Sequence, residues 1–397
     1  MQSPKVLDEV PQTTINNQNN HLWITLAKYI LSKQSPNSNF VFSPLSIHGI
    51  VGLMAAGSKG QTLDQVLSFL KTKTLDELNT RLSKHLFLMA DGSSSGGPRL
   101  SFTNGAWIDK TLYLKTSFKQ ILNNVYRATC KQVDFVNKAI EAVIEVNTWA
   151  EKQTTGLIKD ILPADAVTPA TRLILANTVY FKGSWTVKFD PSMTKDSDFH
   201  FFDGSTVKVP FMTSYGYQLV HEYDGFKVLG LPYSQGEDKR RFTMYMFLPN
   251  EKDSIPLLLE KIGSQSDFLE QHIPRERHIP RERVRVGRFM IPKFSISFGF
   301  EASDMLEELG LVLPLAPGGL TEMADEGLGV SSIHHKAFLE VNEEGTEAAA
   351  ATAMVLLYCI EPDPVDFVAD HPFLFVIRED VSGEVLFMGQ VANPSVR

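Results

Sequence analysis

Cysteine is nearly absent: Cys130 and Cys359 are the only two in 397 residues. They could close one bridge but not a disulfide framework, and a reducing compartment suits such a chain better. The opening stretch, MQSPKVLDEVPQTTINNQNN, is polar and holds no apolar run of the secretory type. No window of about 18 consecutive apolar residues occurs, so no membrane partner is expected. An Asn-X-Ser/Thr acceptor free of proline is also missing, since Asn393 is followed by Pro394. These absences point to the cytoplasm, with the extracellular space open to the chain by unconventional export.

Positive charge is in deficit too. The formal net charge is -8, which repels phosphate backbones and argues against a nucleic-acid partner. The sequence contains no H-E-x-x-H, no Walker loop, no G-x-G-x-x-G and no C-x-x-C. No enzymatic activity, metal or cofactor is therefore expected. His334-His335 could suggest a metal site, but strand neighbours point to opposite faces, so one buried, hydrogen-bonded histidine is the expectation.

What is present is an ordinary globular composition, 43% hydrophobic and 21% charged, long enough for a large core. Between His21 and Gln34, Leu22, Leu26, Tyr29 and Ile30 form one helical stripe. Ser43-Pro44 opens a second helix, with serine suited to capping and proline to the first turn. Gly49, Gly52 and Ala55-Ala56-Gly57 suggest close packing there, and Thr62 to Leu70 reads as a third helix. Asp91 to Pro98, DGSSSGGP, is a surface loop. Ala139 to Leu162 carries an amphipathic pattern that includes Ile140, Ile144, Trp149 and Leu157.

The second half is richer in strands: Arg172–Phe181, Phe226–Leu231, Phe242–Leu248, Val284–Phe300, Phe373–Ile377 and Val385–Val391. Helices first and strands later predict an α+β fold. The hexapeptide HIPRER runs from His272 to Arg277 and repeats at once to Arg283; the region to Arg288 holds six arginines and two glutamates. It reads either as a polyanion or partner patch or, preferably, as a lengthened solvated loop before a strand.

The unusual segment is Glu343 to Ile360, EEGTEAAAATAMVLLYCI. Propensity alone makes TEAAAATAM a helix. Read as a strand, it separates by parity. Thr346, Ala348, Ala350, Thr352, Met354 and Leu356 share one face; Glu347, Ala349, Ala351, Ala353, Val355 and Leu357 share the other. Only the second face is charged, so the first is the natural buried one. Alanine and threonine could enter an already formed sheet with little overpacking. Gly345 supplies a hinge, and the prolines of Glu361-Pro362-Asp363-Pro364 end the segment.

This segment closely resembles the hinge and reactive-centre loop of the serpins. Asn39–Thr62, NTVYFKGSW at Asn177–Trp185, DHPFLF at Asp370–Phe375 and FMGQVANP at Phe387–Pro394 match family motifs in order. ADGSSSGGPRLSFTNGAWIDK is similar to plant serpins of the Z type in particular, for which the apoplast is a further expected location. The resemblance implies a single serpin domain over residues 1–397, with helices packed on three β-sheets and the reactive-centre loop at 343–366. It implies a monomer that forms a covalent 1:1 complex with a target serine, or also papain-like cysteine, endopeptidase. A non-inhibitory binding or chaperone role on the same fold is the alternative. By position, the hinge is Glu343, Glu344, Gly345, Thr346, Glu347, Ala348, Ala349, Ala350 and Ala351. The shutter where the sheet parts is Ser43, Ser46, Asn177 and His335. Trp185 and Lys293 stand at the breach near Glu343, where an exposed ion pair would contribute little. The family spacing puts the reactive bond at Cys359-Ile360; a loop shorter by one residue makes Tyr358 the bait.

Overall fold

The computed structural model describes residues 12–265, 267–273, 283–325, 327–344 and 363–396. The hinge from Gly345 to Ala351, the bait residues Tyr358, Cys359 and Ile360, and most of the HIPRER repeat lie outside them.

Five strands form the sheet that matters most, in the spatial order Phe294–Glu301, Ser332–Val341, Leu173–Lys182, Arg99–Asp109, Thr129–Val133. A second, ten-stranded path begins with Phe40–Phe42, Val385–Val391, Phe373–Glu379, Phe242–Pro249, Phe226–Pro232 and Tyr217–Tyr223. It continues through Val284–Pro292, which also carries Val365–Val368, to Thr206–Met212 and Lys195–His200. The joint is slight: Tyr217–Tyr223 and Val284–Pro292 meet only at Gln218 with Val284 and Tyr217 with Arg285. Taken as two sheets joined there, the ten strands and the five-stranded sheet make three sheets in all.

Side-chain parity fixes what each face of the five-stranded sheet meets. Leu173, Leu175, Ala106, Ile108 and Ile333 join the core built around the helix Pro44–Ala56. Their strand neighbours Ile174, Ala176 and Trp107 join Val143, Val146 and Trp149 of the helix Ala139–Gln153 on the opposite side. Further along the same strands, Val179, Phe181, Ala337, Leu339 and Val341 pack against Phe375 and Phe387. The middle of the sheet is covered on both faces, and Leu173–Lys182, buried at every position but the last, reads as a near-continuous apolar run.

Ser43 caps Pro44–Ala56 as expected: its Oγ accepts the backbone N–H of Ser46 at 3.3 Å, and proline takes the first turn. Every residue of that helix is buried. At Gly52 a Cβ would run into Leu82 of the helix Leu75–Leu88, which explains the small residue. The first and third expected helices are Gln12–Lys33 and Gly60–Phe69.

Three expectations change. The stretch Val284–Phe300 is two strands, split at Lys293 and serving different sheets. The helix from Ala139 ends at Gln153 instead of continuing to Leu162, because Thr155 and Gly156 both adopt positive φ. Its buried face is Ala142, Val143, Val146, Trp149 and Ala150, so Ile140 and Ile144 face solvent. Both His334 and His335 are buried, because the middle of the sheet is covered on both faces. Among the described residues, no helix is long and apolar enough to cross a membrane, and no group of three or more His, Cys, Asp or Glu could hold a metal ion.

Candidate functional site

Ser332–Val341 and Leu173–Lys182 lie side by side in parallel register, from Ser332 opposite Ile174 to Leu339 opposite Phe181. Across them runs a buried polar row. His335 stands opposite Asn177, and Asn177 opposite Asn104 on the next strand. His335 Nε2 accepts the backbone N–H of Ser43 at 3.3 Å. The network thereby assigns the proton to Nδ1, which donates to Asn177 Oδ1 at 3.0 Å. Asn177 Nδ2 passes the chain on, donating to Asn104 Oδ1 at 2.8 Å and to the Thr103 carbonyl at 3.2 Å. Burial pulls the His335 pKa down to about 3, so the imidazole is neutral and both ring nitrogens are satisfied without charge. Ser46 is equally buried, but its Oγ has no hydrogen-bond partner among the described residues, and only its backbone N–H reaches Ser43.

The row joins three strands to the start of a helix. A net hydrogen bond is worth about 1 kcal/mol, whereas a buried group left unpaired costs about 1–3 kcal/mol. Parting the two central strands at this point therefore breaks the bond between His335 and Asn177 unless new partners arrive.

The second cluster lies where Ser332–Val341 ends. Trp185 Nε1 donates to the Asn342 carbonyl at 2.9 Å. The backbone N–H of Phe189 reaches the Glu343 carbonyl at 3.0 Å, and that of Trp185 the Glu344 carbonyl at 3.3 Å. Glu343 receives Lys293 Nζ at 2.7 Å on one oxygen and Thr194 Oγ1 at 2.7 Å on the other. Only 9% of the Glu343 side chain is exposed, so this pair is not the exposed one considered from the sequence. Burial alone would raise its carboxyl, but the bonds from Lys293 and Thr194 outweigh that and hold it below the usual range. Trp185 itself stacks on Tyr233 at 4.4 Å between ring centroids. The chain is thus pinned through Glu343 and Glu344, the two described residues of the hinge.

A profile described as Serpin (serine protease inhibitor) matches residues 17–394. The chain belongs to the serpin family. Serpin-ZX of Arabidopsis thaliana is 51% identical over 385 residues, covering 94% of this chain and 97% of that one. Serpin-ZXA of Oryza sativa subsp. japonica is 50% identical over 363 residues, covering 90% of each. Arabidopsis AtSerpin1, solved in its native stressed conformation, matches with a TM-score of 0.90 and 49% identity over 97% of this chain and 99% of that chain. Serpin48 of the insect Tenebrio molitor matches at 0.81 and 26% identity, covering 98% and 100%. The α+β serpin fold and the likeness to plant Z-type serpins are those expected from the motifs. Serpins in general inhibit proteases rather than catalyse, so at family level the partner is a target protease.

The structure brings Ser43, Asn177 and His335 into one network and places Ser46 beside it; it likewise gathers Trp185, Lys293 and Glu343. Asn104 and Thr194 belong to these clusters but escape a reading of the sequence. Asn104-Gly105 spells a turn dipeptide, yet it lies mid-strand, where a Cβ on Gly105 would overlap the Trp107 ring. Thr194 follows a short 3₁₀ turn and carries no pattern of its own. Gly92–Gly96 spells G-x-S-x-G, but the turn joins a helix to a strand, the reverse of a hydrolase elbow.

Proposed function

We propose that this serpin inhibits serine endopeptidases, and papain-like cysteine endopeptidases as well, as a single-use substrate. The supporting observation is the direct parallel pairing of Ser332–Val341 with Leu173–Lys182, with no strand between them. The first of these strands leads through Glu344 into the alanine-rich hinge. A chain folding back from that point into the gap would run antiparallel to both neighbours. One parallel ladder would give way to two antiparallel ones, which are slightly more stable per residue.

In this reading the target's nucleophile attacks the carbonyl carbon of Cys359. The bond to Ile360 breaks, the Ile360 amine leaves with a proton, and the acyl-enzyme remains. Insertion of the freed hinge then carries the enzyme away before water can release it. Strand addition and release of stored strain by serpin loops are general examples of such a device. About a dozen inserted residues, at about 1 kcal/mol per net hydrogen bond and roughly 1.5–3 kcal/mol for each of Met354, Val355 and Leu356, give tens of kcal/mol before entropy is subtracted. The proposed working form is a monomer making a 1:1 complex; the low cysteine count fits a reducing cytoplasm.

The test is a gel against trypsin-, elastase-, chymotrypsin- and papain-like enzymes. The expected result is an SDS-stable complex with release of a C-terminal peptide beginning at Ile360. A peptide beginning at Cys359 would make Tyr358 the bait. Cleavage or binding with no covalent complex for any enzyme would sink the inhibitory reading in favour of a binding or chaperone role.

A further inference from the structure

The strand that follows the reactive loop is held by an arginine-bearing neighbour whose charge the inhibitory reading leaves unused. Val365–Val368 pairs in parallel with Val284–Pro292, Val286 standing opposite Val365 and Phe289 opposite Phe367. The register breaks between Val286 and Phe289, where Gly287 and Arg288 together oppose Asp366. Asp366 Oδ1 fills this bulge, accepting the backbone N–H of Arg288 at 2.6 Å, and a Cβ on Gly287 would overlap it. Lys227 Nζ holds the same residue from the other side, donating to the Asp366 carbonyl at 2.8 Å.

The bulge has a consequence for charge. Residues three apart on a regular strand point to opposite faces. The extra residue resets the parity, so Val286 and Phe289 are both buried while Arg285 and Arg288 are both exposed. The carboxylate of Asp366, exposed on the adjoining chain, is engaged in the bulge. The sequence from His272 to Arg288 holds six arginines and two glutamates, within a chain of net charge -8.

Position supplies the partner. Pro364 lies next to Gly287, within 3.7 Å of where its Cβ would stand. Ile360 is four residues earlier, so the proposed reactive bond lies within about 14 Å of chain from Pro364. An endopeptidase is several times wider than that span, so one seated on the bond comes within reach of the arginine strand. We infer that Arg285 and Arg288 form a docking surface for target endopeptidases that carry acidic residues on the rim of their active-site cleft. The strand steers such enzymes to the loop against the negative charge of the rest of the serpin. This inference rests on the inhibitory reading above.

The experiment uses two endopeptidases that both cleave the loop, one with an acidic and one with a basic surface. Association rate constants are measured against ionic strength for the intact protein, for Arg285→Glu/Arg288→Glu and for the milder Arg285→Gln/Arg288→Gln. With the intact protein, the acidic enzyme should be trapped faster at low salt and lose that advantage as salt rises. The charge-reversed variant should slow the acidic enzyme about tenfold or more at low salt and speed the basic one, with the glutamine variant between. Equal rates for intact and charge-reversed protein with both enzymes overturn the inference while leaving inhibition standing. Loss of covalent trapping by the intact protein would instead remove the reading on which it rests. If heparin binds through these arginines and accelerates both enzymes alike, the surface is a polyanion site and the inference fails.

Discussion

At the scale of single residues, the polar row and the loop root make opposite uses of burial. His335 is neutral because nothing nearby compensates a charge: its pKa falls to about 3. An unfolded chain takes up that proton near pH 6.5, so between these values the unfolded state binds more protons and stability falls as pH falls. We expect the unfolding free energy to drop by up to about 1.4 kcal/mol per pH unit from this site as pH goes from 6 to 4. His335→Gln should flatten that slope in urea titrations; an unchanged slope would show that the histidine does not titrate on unfolding. Glu343 stays ionised, since Lys293 and Thr194 overcome its burial. Its contribution is present above the unfolded carboxylate pKa and lost as pH falls through the lower folded value. The two effects are separable, because Glu343→Gln should leave the slope above pH 5 intact.

Residue chemistry also bears on the two cysteines. Cys130 is half-buried and burial raises its thiol pKa, so it is a poor nucleophile. Loss of inhibition under hydrogen peroxide that a Cys359→Ser variant escapes would trace to Cys359 rather than to oxidation of Met354. Retention of the full inhibition rate after peroxide would dismiss redox sensitivity of the bait.

Single elements carry the next set of constraints. The strand Val385–Val391 contains Gly389, where a Cβ would overlap the Phe40 carbonyl and the Phe375 ring. A main-chain obstacle cannot rotate away. Gly389→Ala should cost about 1–3 kcal/mol by overpacking, measurable as a lower denaturation midpoint, and a neutral result would mean that the strand Phe40–Phe42 shifts freely. In the proposed mechanism the hinge is the element on which inhibition depends. Thr346 is the first residue of its uncharged face. Thr346→Arg would carry a charge into the sheet, and the variant should be cleaved as a substrate with little covalent complex. Full trapping by this variant would refute insertion as the mechanism.

Elements also mark where sequence reading succeeds. The helix Pro44–Ala56 is legible because Ser43 and Pro44 act locally, through one cap bond and one fixed dihedral. The split at Lys293 is not legible, because Val284–Pro292 and Phe294–Glu301 are both strand-like and only their partners differ. Nor is the end of the helix at Gln153, since Leu157, Ile158, Ile161 and Leu162 continue an apolar pattern after the backbone has turned at Gly156.

For the whole molecule, the five-stranded sheet has Ser332–Val341 and Leu173–Lys182 paired directly, and the proposed mechanism places one more strand between them. In the proposed mechanism the uncut protein is kinetically trapped rather than most stable. Cleavage within the loop by a protease that is not itself trapped should then raise the thermal unfolding midpoint. A cut protein that melts at or below the intact one would contradict stored strain.

The sequence alone determined the family, through motifs spread in order from Asn39 to Pro394, and it marked the segment of small residues after Glu344. Those signals are local: each is read within one stretch of chain, because capping, proline geometry and side-chain size act over a few residues. Tertiary structure decided that Ser332–Val341 and Leu173–Lys182 lie side by side, that Asn104 and Thr194 complete the two polar clusters, and that a bulge turns Arg285 and Arg288 to the same face. Those facts arise from register between strands far apart in sequence, and one residue of register moves every side chain to the opposite face.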